Sequence, residues 1–288
     1  MPLRITQRCR VVVDNDWAGD PDGLVALAHH LLSPANRVDA VTSSHLSAVF
    51  GPPGGTAQRG ARFAQQLVDL VGGPRPVVAA GCDALLDAGD TGSAAADLIV
   101  AEARRDDPLP LLLVCAGPLT NVAQALRQAP EIASRLTLVW VGGALDPDAF
   151  EYNRETDAGA AREVLARTDL AVSQFPLETY RRCEYSVAEL EQDLGGAGRL
   201  GAWLWQRYVE LPIPDFVEQG ETWPLGDTPP LLLTALSDAS SAWTETASAP
   251  GGAARRVYTD VDVRLLVADL YAKLRRHERQ AAGAGGAV

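Results

Sequence analysis

Asp14, Asp16, Asp20 and Asp22 place four carboxylates within nine residues, directly after the β-branched run Val11-Val12-Val13 and directly before an apolar helical pattern. Packed together, four negative charges repel one another and raise each other's pKa unless a cation neutralises them. Oxygen-only donors suit a hard divalent ion, calcium or magnesium, far better than zinc. A metal-assisted enzyme is the first reading of this loop, with Asp14 read as a residue that orients backbone rather than as a ligand. Three further segments carry polar residues at apparent strand ends: Cys115-Ala116-Gly117-Pro118-Leu119-Thr120-Asn121, then Glu151-Tyr152-Asn153 past Gly142-Gly143, and Trp223-Pro224-Leu225-Gly226-Asp227-Thr228-Pro229.

Alternating strand and helix patterns must position these groups, as in a parallel sheet with crossover helices. Strands are expected at Val11–Val13, Val38–Ser43, Val77–Ala80, Leu111–Cys115 and Leu136–Val141. Helices are expected at Leu24–Leu32, Ala57–Val71, Ala94–Arg105 and from near Thr120. Asp20 reads as the N-cap of the first helix, with Pro21 at its first position. Past Asp146 the pattern loosens, with helices expected at Ala158–Leu165, Val187–Leu194, Leu200–Glu210 and Pro229–Leu236. Ser237–Ala254 reads as a loop before a final strand and helix over Arg256–Arg276. The expected architecture is α/β, an open, mostly parallel sheet with helices on both faces and a Rossmann-like core. Residues 1–280 read as a single domain and 281–288 as a disordered tail.

Composition narrows the partners. The 288 residues are 47% hydrophobic with a net charge of -12, so a nucleic-acid polymer is disfavoured. No apolar run approaches the ~20 residues of a membrane span, and no signal-peptide pattern opens the chain. Cys9, Cys82, Cys115 and Cys183 form no C-x-x-C pair, which fits a cytoplasmic protein with reduced thiols. No phosphate-binding loop or G-x-G-x-x-G follows a strand.

At the four motifs the chain resembles the nucleoside hydrolases, the inosine–uridine-preferring ribohydrolase superfamily. That family opens with D-x-D-P-G-x-D-D at its first strand end. It carries G-x-L-T-N after a central strand, E-F-N after a later G-G, and an aspartate before a C-terminal helix. The counterparts here are Asp14-x-Asp16 with Asp20 and Asp22, Gly117-Pro118-Leu119-Thr120-Asn121, Glu151-Tyr152-Asn153, and Asp227, in the same order over roughly residues 11 to 236.

The resemblance implies a Ca2+ ion held by Asp16, by Asp20 or Asp22 or both, by Asp227 and by a backbone carbonyl at or near Ala116. Asp16 would serve as general base on the attacking water. Asp20, Glu151 and Asn153 would bind ribose hydroxyls, favouring an oxocarbenium-like sugar. The implied reaction is hydrolysis of a ribonucleoside to ribose and free base by a homodimer or homotetramer. Three departures stand out. Asp20-Pro21-Asp22 replaces the family's adjacent aspartate pair, and Trp17-Ala18 replaces its Pro-Gly. Gly226 stands where members that activate a purine often carry histidine. His45 is a candidate to reach the pocket, and Trp17, Trp223 and Tyr152 are candidates to stack on the base. Two rivals share parts of the pattern. One is a ribose- or nucleoside-binding protein without turnover, which would have no need of Asp16 as a base. The other is a haloacid-dehalogenase-like phosphohydrolase, disfavoured because the only lysine, Lys273, lies in the C-terminal helix.

Overall fold

The computed structural model describes residues 3–50, 54–73, 75–87, 90, 92–214, 218–247 and 251–285. Its strands are β1 (Cys9–Asn15), β2 (Asn36–Ser43), β3 (Val77–Ala80), β4 (Leu111–Cys115), β5 (Leu136–Val141), β6 (Ala171–Phe175), β7 (Glu184–Ser186), β8 (Thr222–Pro224), β9 (Ala242–Ala247) and β10 (Ala254–Asp260). The helices are α1 (Asp22–Leu31), α2 (Thr56–Val71), α3 (Ala94–Arg104), α4 (Thr120–Gln128), α5 (Tyr152–Thr156), α6 (Ala158–Leu165), α7 (Leu177–Tyr180), α8 (Val187–Gly195), α9 (Gly198–Val209), α10 (Leu231–Thr234) and α11 (Val263–Gly285).

Eight strands form one sheet in the order β3-β2-β1-β4-β5-β6-β10-β9, parallel throughout except for β9, which runs antiparallel on β10. β7 and β8 make a separate antiparallel pair. The expected mostly parallel α/β architecture is thus the observed one. Successive side chains of a strand point to opposite faces. Val11 and Val13 accordingly enter the core shared with α1, α9 and α11, while Val12 enters the second core under α3, α4 and α6. Burial on both faces explains why β1 reads as an unbroken apolar run.

The strand order reverses between β1 and β4. Their carboxyl ends open a crevice at this switch point, the place where open α/β sheets receive ligands. The carboxylate loop leaves β1 there, and Ala116-Gly117 leaves β4.

Several expected elements need correction. β6 falls in the stretch after Asp146 that showed no regular pattern, and β9 falls inside the segment read as a loop. α11 continues through Gly285, so most of the proposed disordered tail is helical, and 286–288 lie outside the described residues. Asp20 does not cap a helix: α1 begins at Asp22 behind Pro21 and has no side-chain cap. Among the described residues, no helix is long and apolar enough to cross a membrane.

Both histidines of α1 are buried. His29 Nε2 meets Asp269 Oδ2 of α11 at 2.7 Å, and His30 Nδ1 lies 3.2 Å from Asn36 Nδ2. Burial pushes the His30 imidazole down to about 3. An unfolded chain takes up a proton at this residue below its ordinary pKa of about 6.5, whereas the folded chain does not until about pH 3. His30 therefore costs stability as pH falls through that window, by up to about 1.4 kcal/mol per pH unit. Urea unfolding at pH 7.5 and pH 5 should show a smaller acid-induced loss for His30→Gln than for the wild type. Equal losses would remove His30 from this role.

Candidate functional site

The loop after β1 is fixed from below by Asp14. Thr42 of β2 and Cys115 of β4 lie in register with it on either side. Thr42 Oγ1 donates to Asp14 Oδ1 at 2.6 Å, Asn121 Nδ2 donates to the same oxygen at 2.8 Å, and the Cys115 thiol donates to Oδ2 at 3.5 Å. Burial pushes the Asp14 carboxyl up to about 6, and these hydrogen bonds hold it from rising further. The Asp14 carboxylate thus points into the sheet and is held by side chains of β2, β4 and α4 rather than by backbone. Thr42→Val keeps the shape but removes one donor to a buried carboxylate. Chemical denaturation should show a loss of about 1–3 kcal/mol. An unchanged midpoint would mean that Asp14 does not depend on Thr42.

The loops from β1 and β4 then meet closely. A Cβ at Gly117 would sit 2.7 Å from Ser44 Oγ and 3.1 Å from the Asp16 backbone nitrogen, so only glycine lets the β4 turn approach the carboxylate loop this far. Ala116 is held by its N–H, which donates to the Asp14 carbonyl at 3.0 Å.

Above this floor lie Asp16, Asp22 and Asp227. Asp227, distant in sequence, is brought in by two contacts: Asn15 Nδ2 donates to its Oδ2 at 2.8 Å, and its own N–H donates to Asp22 Oδ2 at 3.1 Å. Asp20 is exposed at the rim, near enough for its charge to act on Asp16, Asp22 and Asp227. Burial, then the charges of Asp227 and Asp20, push Asp16 well above the usual carboxylate range. Burial, Asp20 and Asp227 do the same to Asp22, and burial with Asp20 pushes Asp227 up to about 8. A cation would relieve this repulsion. The donors are all oxygen, so their chemistry fits a hard divalent ion. Among the described residues, however, no three His, Cys, Asp or Glu side chains already converge into a metal-binding group, so an ion would have to draw these carboxylates in.

Glu151 and Asn153 come to the same end of the sheet, past β5. Glu151 is nearly fully hydrogen-bonded: Oε2 accepts from the N–H groups of Gly143 and Arg154, and Oε1 accepts from the Asn153 N–H at 3.1 Å and the Tyr180 hydroxyl at 3.0 Å. It caps α5, and Tyr180 supplies the one side-chain donor of the four. Asn153 Nδ2 donates to the Val141 carbonyl at 2.9 Å.

The aromatic and imidazole candidates divide. Trp17 is only 1% exposed and its indole N–H donates to the Thr42 carbonyl, so it is a core residue and not a base platform. Tyr152 lies edge-on to Phe50 at 5.5 Å, and its hydroxyl accepts from the Ser47 N–H. Trp223, half-buried on β8, meets the Tyr208 ring edge-on at 5.6 Å. Its indole N–H and the Tyr208 hydroxyl are both buried without a partner. Tyr208, on α9, feels the charges of Asp22, Asp20 and Asp227. His45 sits buried past β2 with both ring nitrogens unpartnered, and the carboxylates it feels most are Asp157 and Asp83. Tyr180 and Tyr208 had no local signature.

The pyrimidine-specific ribonucleoside hydrolase RihA of Salmonella arizonae is 30% identical over 99 residues, 33% of this chain and 32% of that protein. The chain thus spans about a third of the length of the curated relatives it matches. A purine-preferring ribonucleoside hydrolase from Gardnerella vaginalis superposes with a TM-score of 0.69 at 20% identity, over 93% of this chain and 99% of that one. The type III effector protein XopQ, solved in complex with adenosine diphosphate ribose, superposes with a TM-score of 0.72 at 16% identity over 95% of each chain. These two likenesses show the fold. Residues 11–269, which carry every loop of the crevice, match the family model of the inosine-uridine preferring nucleoside hydrolases. The chain belongs to the inosine-uridine preferring nucleoside hydrolase family.

Proposed function

We propose that this protein hydrolyses the N-glycosidic bond of ribonucleosides in a calcium-dependent reaction, with Asp16 as general base. The observation that carries the reading is that Asp16 and Asp22, both buried, and the half-buried Asp227 lie within reach of neighbouring carboxylate charges at the switch point of the sheet. Asp16, Asp22 and Asp227, with the Ala116 carbonyl, would hold the ion. When bound, calcium supplies positive charge that gathers ribose hydroxyls and acidifies water. Asp20, exposed and beside Asp22, is placed to accept from a sugar hydroxyl at the rim or to join the ligands.

Asp16 takes the proton of the attacking water as its oxygen bonds to C1′ and the bond from C1′ to the base breaks. Positive charge grows on the sugar in that step, and the surrounding carboxylates stabilise it. Glu151 accepts from a ribose hydroxyl at Oε1 once the Tyr180 hydroxyl gives way, since its other donors are fixed backbone. Asn153, anchored through Nδ2, leaves its side-chain oxygen for the sugar. Trp223 and Tyr208 offer their unpartnered donors to the base, and His45 offers its imidazole from the β2 side. The four free thiols fit a cytoplasmic setting, and a homodimer or homotetramer is the expected assembly.

Calcium-loaded protein offered inosine, uridine, adenosine, guanosine, cytidine and nicotinamide riboside should release ribose from at least one. Release from none would overturn the reading.

A further inference from the structure

Each of the three rings that the sequence offers for stacking on a base is engaged elsewhere. Trp17 lies in the core, Trp223 meets the edge of Tyr208, and Tyr152 meets Phe50. Phe50 itself is 45% exposed. An isolated exposed phenylalanine is ordinary on a protein surface. This one stands on a wall of the crevice, and the fold of the segment after β2 puts it there.

The Ser44 N–H donates to the Asn15 carbonyl at 2.9 Å, which ties the start of that segment to the carboxylate loop. Leu46 then packs over Gly19: a Cβ on Gly19 would sit 2.9 Å from Leu46 Cδ2 and 3.4 Å from Asp16 Oδ2. The segment therefore lines the crevice beside Asp16. Next, the Ser47 N–H donates to the Tyr152 hydroxyl at 3.1 Å. The Phe50 N–H donates back to the Ser47 carbonyl at 3.1 Å, closing a single 3-10 turn over Ala48–Phe50. Tyr152 stands between Glu151 and Asn153, the two residues assigned to the sugar. The Phe50 ring packs on it with centroids 5.5 Å apart and planes at 61°. Phe50 is thus pinned to the residue between the two sugar contacts, with close to half of its surface open.

We propose, resting on the hydrolase reading above, that Phe50 is the platform on which the base of the bound nucleoside stacks. A base joined to a sugar held by Glu151 and Asn153 lies one glycosidic bond away from it, on the side where this ring is open. Stacking needs no hydrogen bond, so a phenylalanine face serves any planar base. The ring makes no covalent contribution. It holds the base alike before and during bond cleavage, and so lowers KM without raising kcat.

Steady-state kinetics on the full calcium-loaded chain test this, with the best-cleaved nucleoside of the panel above as substrate and ribose as product inhibitor. Phe50→Ala should raise KM at least about fivefold, which is about 1 kcal/mol, the lower end of what base–aromatic stacking is worth. Its kcat should stay near the wild-type value. The inhibition constant of ribose, which carries no base, should not change. Phe50→Trp should restore KM, and the nucleoside, but not ribose, should quench the added indole fluorescence. A smaller rise in KM, a parallel rise in the ribose inhibition constant, or an unquenched indole overturns the platform and leaves the hydrolase reading standing. A smaller assembly in Phe50→Ala with KM unchanged overturns it too, and seats a second copy of the chain on this ring instead. Cleavage of no nucleoside by the wild type overturns both readings.

Discussion

Replacing Asp16 by asparagine should lower nucleoside turnover by about 10²–10⁴-fold, the usual worth of a positioned general base. Asparagine keeps the shape of the side chain and can still offer one oxygen, but it cannot take a proton from water. The fold should survive. Asp16 lies at the carboxyl edge of the sheet, and the contacts that anchor its loop belong to Asp14 and Asn15. Removing one of several repelling charges relieves strain rather than adding it. Circular dichroism and the melting temperature should therefore match or exceed those of the wild type. Activity within tenfold of the wild type would take the role of base away from Asp16.

Calcium should stabilise the protein, and the effect should depend on residues far apart in sequence. An ion bound only to the native state, present at a hundred times its Kd, adds about 2.7 kcal/mol. For a chain of this size that corresponds to a rise in melting temperature of several degrees. The increment should shrink at lower pH, because protons compete for the same oxygens. Asp227→Asn should remove most of it, although Asp227 is joined to the carboxylate loop only through Asn15 and Asp22. Melting that is identical with calcium and with chelator would contradict the metal site, and a full calcium shift in Asp227→Asn would remove that residue from it.

The central half of the fold was legible because β1 to β5 are buried strands whose apolar runs and helix spacings obey local rules. The outer half was less so. β6 carries Ser173 and Gln174 within five residues, and parallel pairing with β5 and β10 decides its conformation. β9 is an edge strand rich in threonine and alanine, recognisable only through its pairing with β10. At the site, the residue types of the carboxylate loop pointed to a hard cation, and Asp14, read as a residue that orients backbone, holds the side chains of Thr42, Asn121 and Cys115 instead. Asp20 looked like a helix cap because it precedes Pro21 at an expected helix start, and Asp227 lies far away in sequence. Their actual partners, Asp22 and Asn15, are set by how the loops meet. Tyr180 was invisible for the same reason: its place against Gly226 arises from α7 packing on a loop almost fifty residues away.

The most direct measurement is ribose release from a cleaved nucleoside by metal-stripped protein titrated with calcium. The expected result is negligible release before calcium and saturable recovery with one ion bound per chain. Full activity in the presence of chelator, or recovery by Asp16→Asn equal to that of the wild type, would contradict a calcium-dependent site built on Asp16, Asp22 and Asp227.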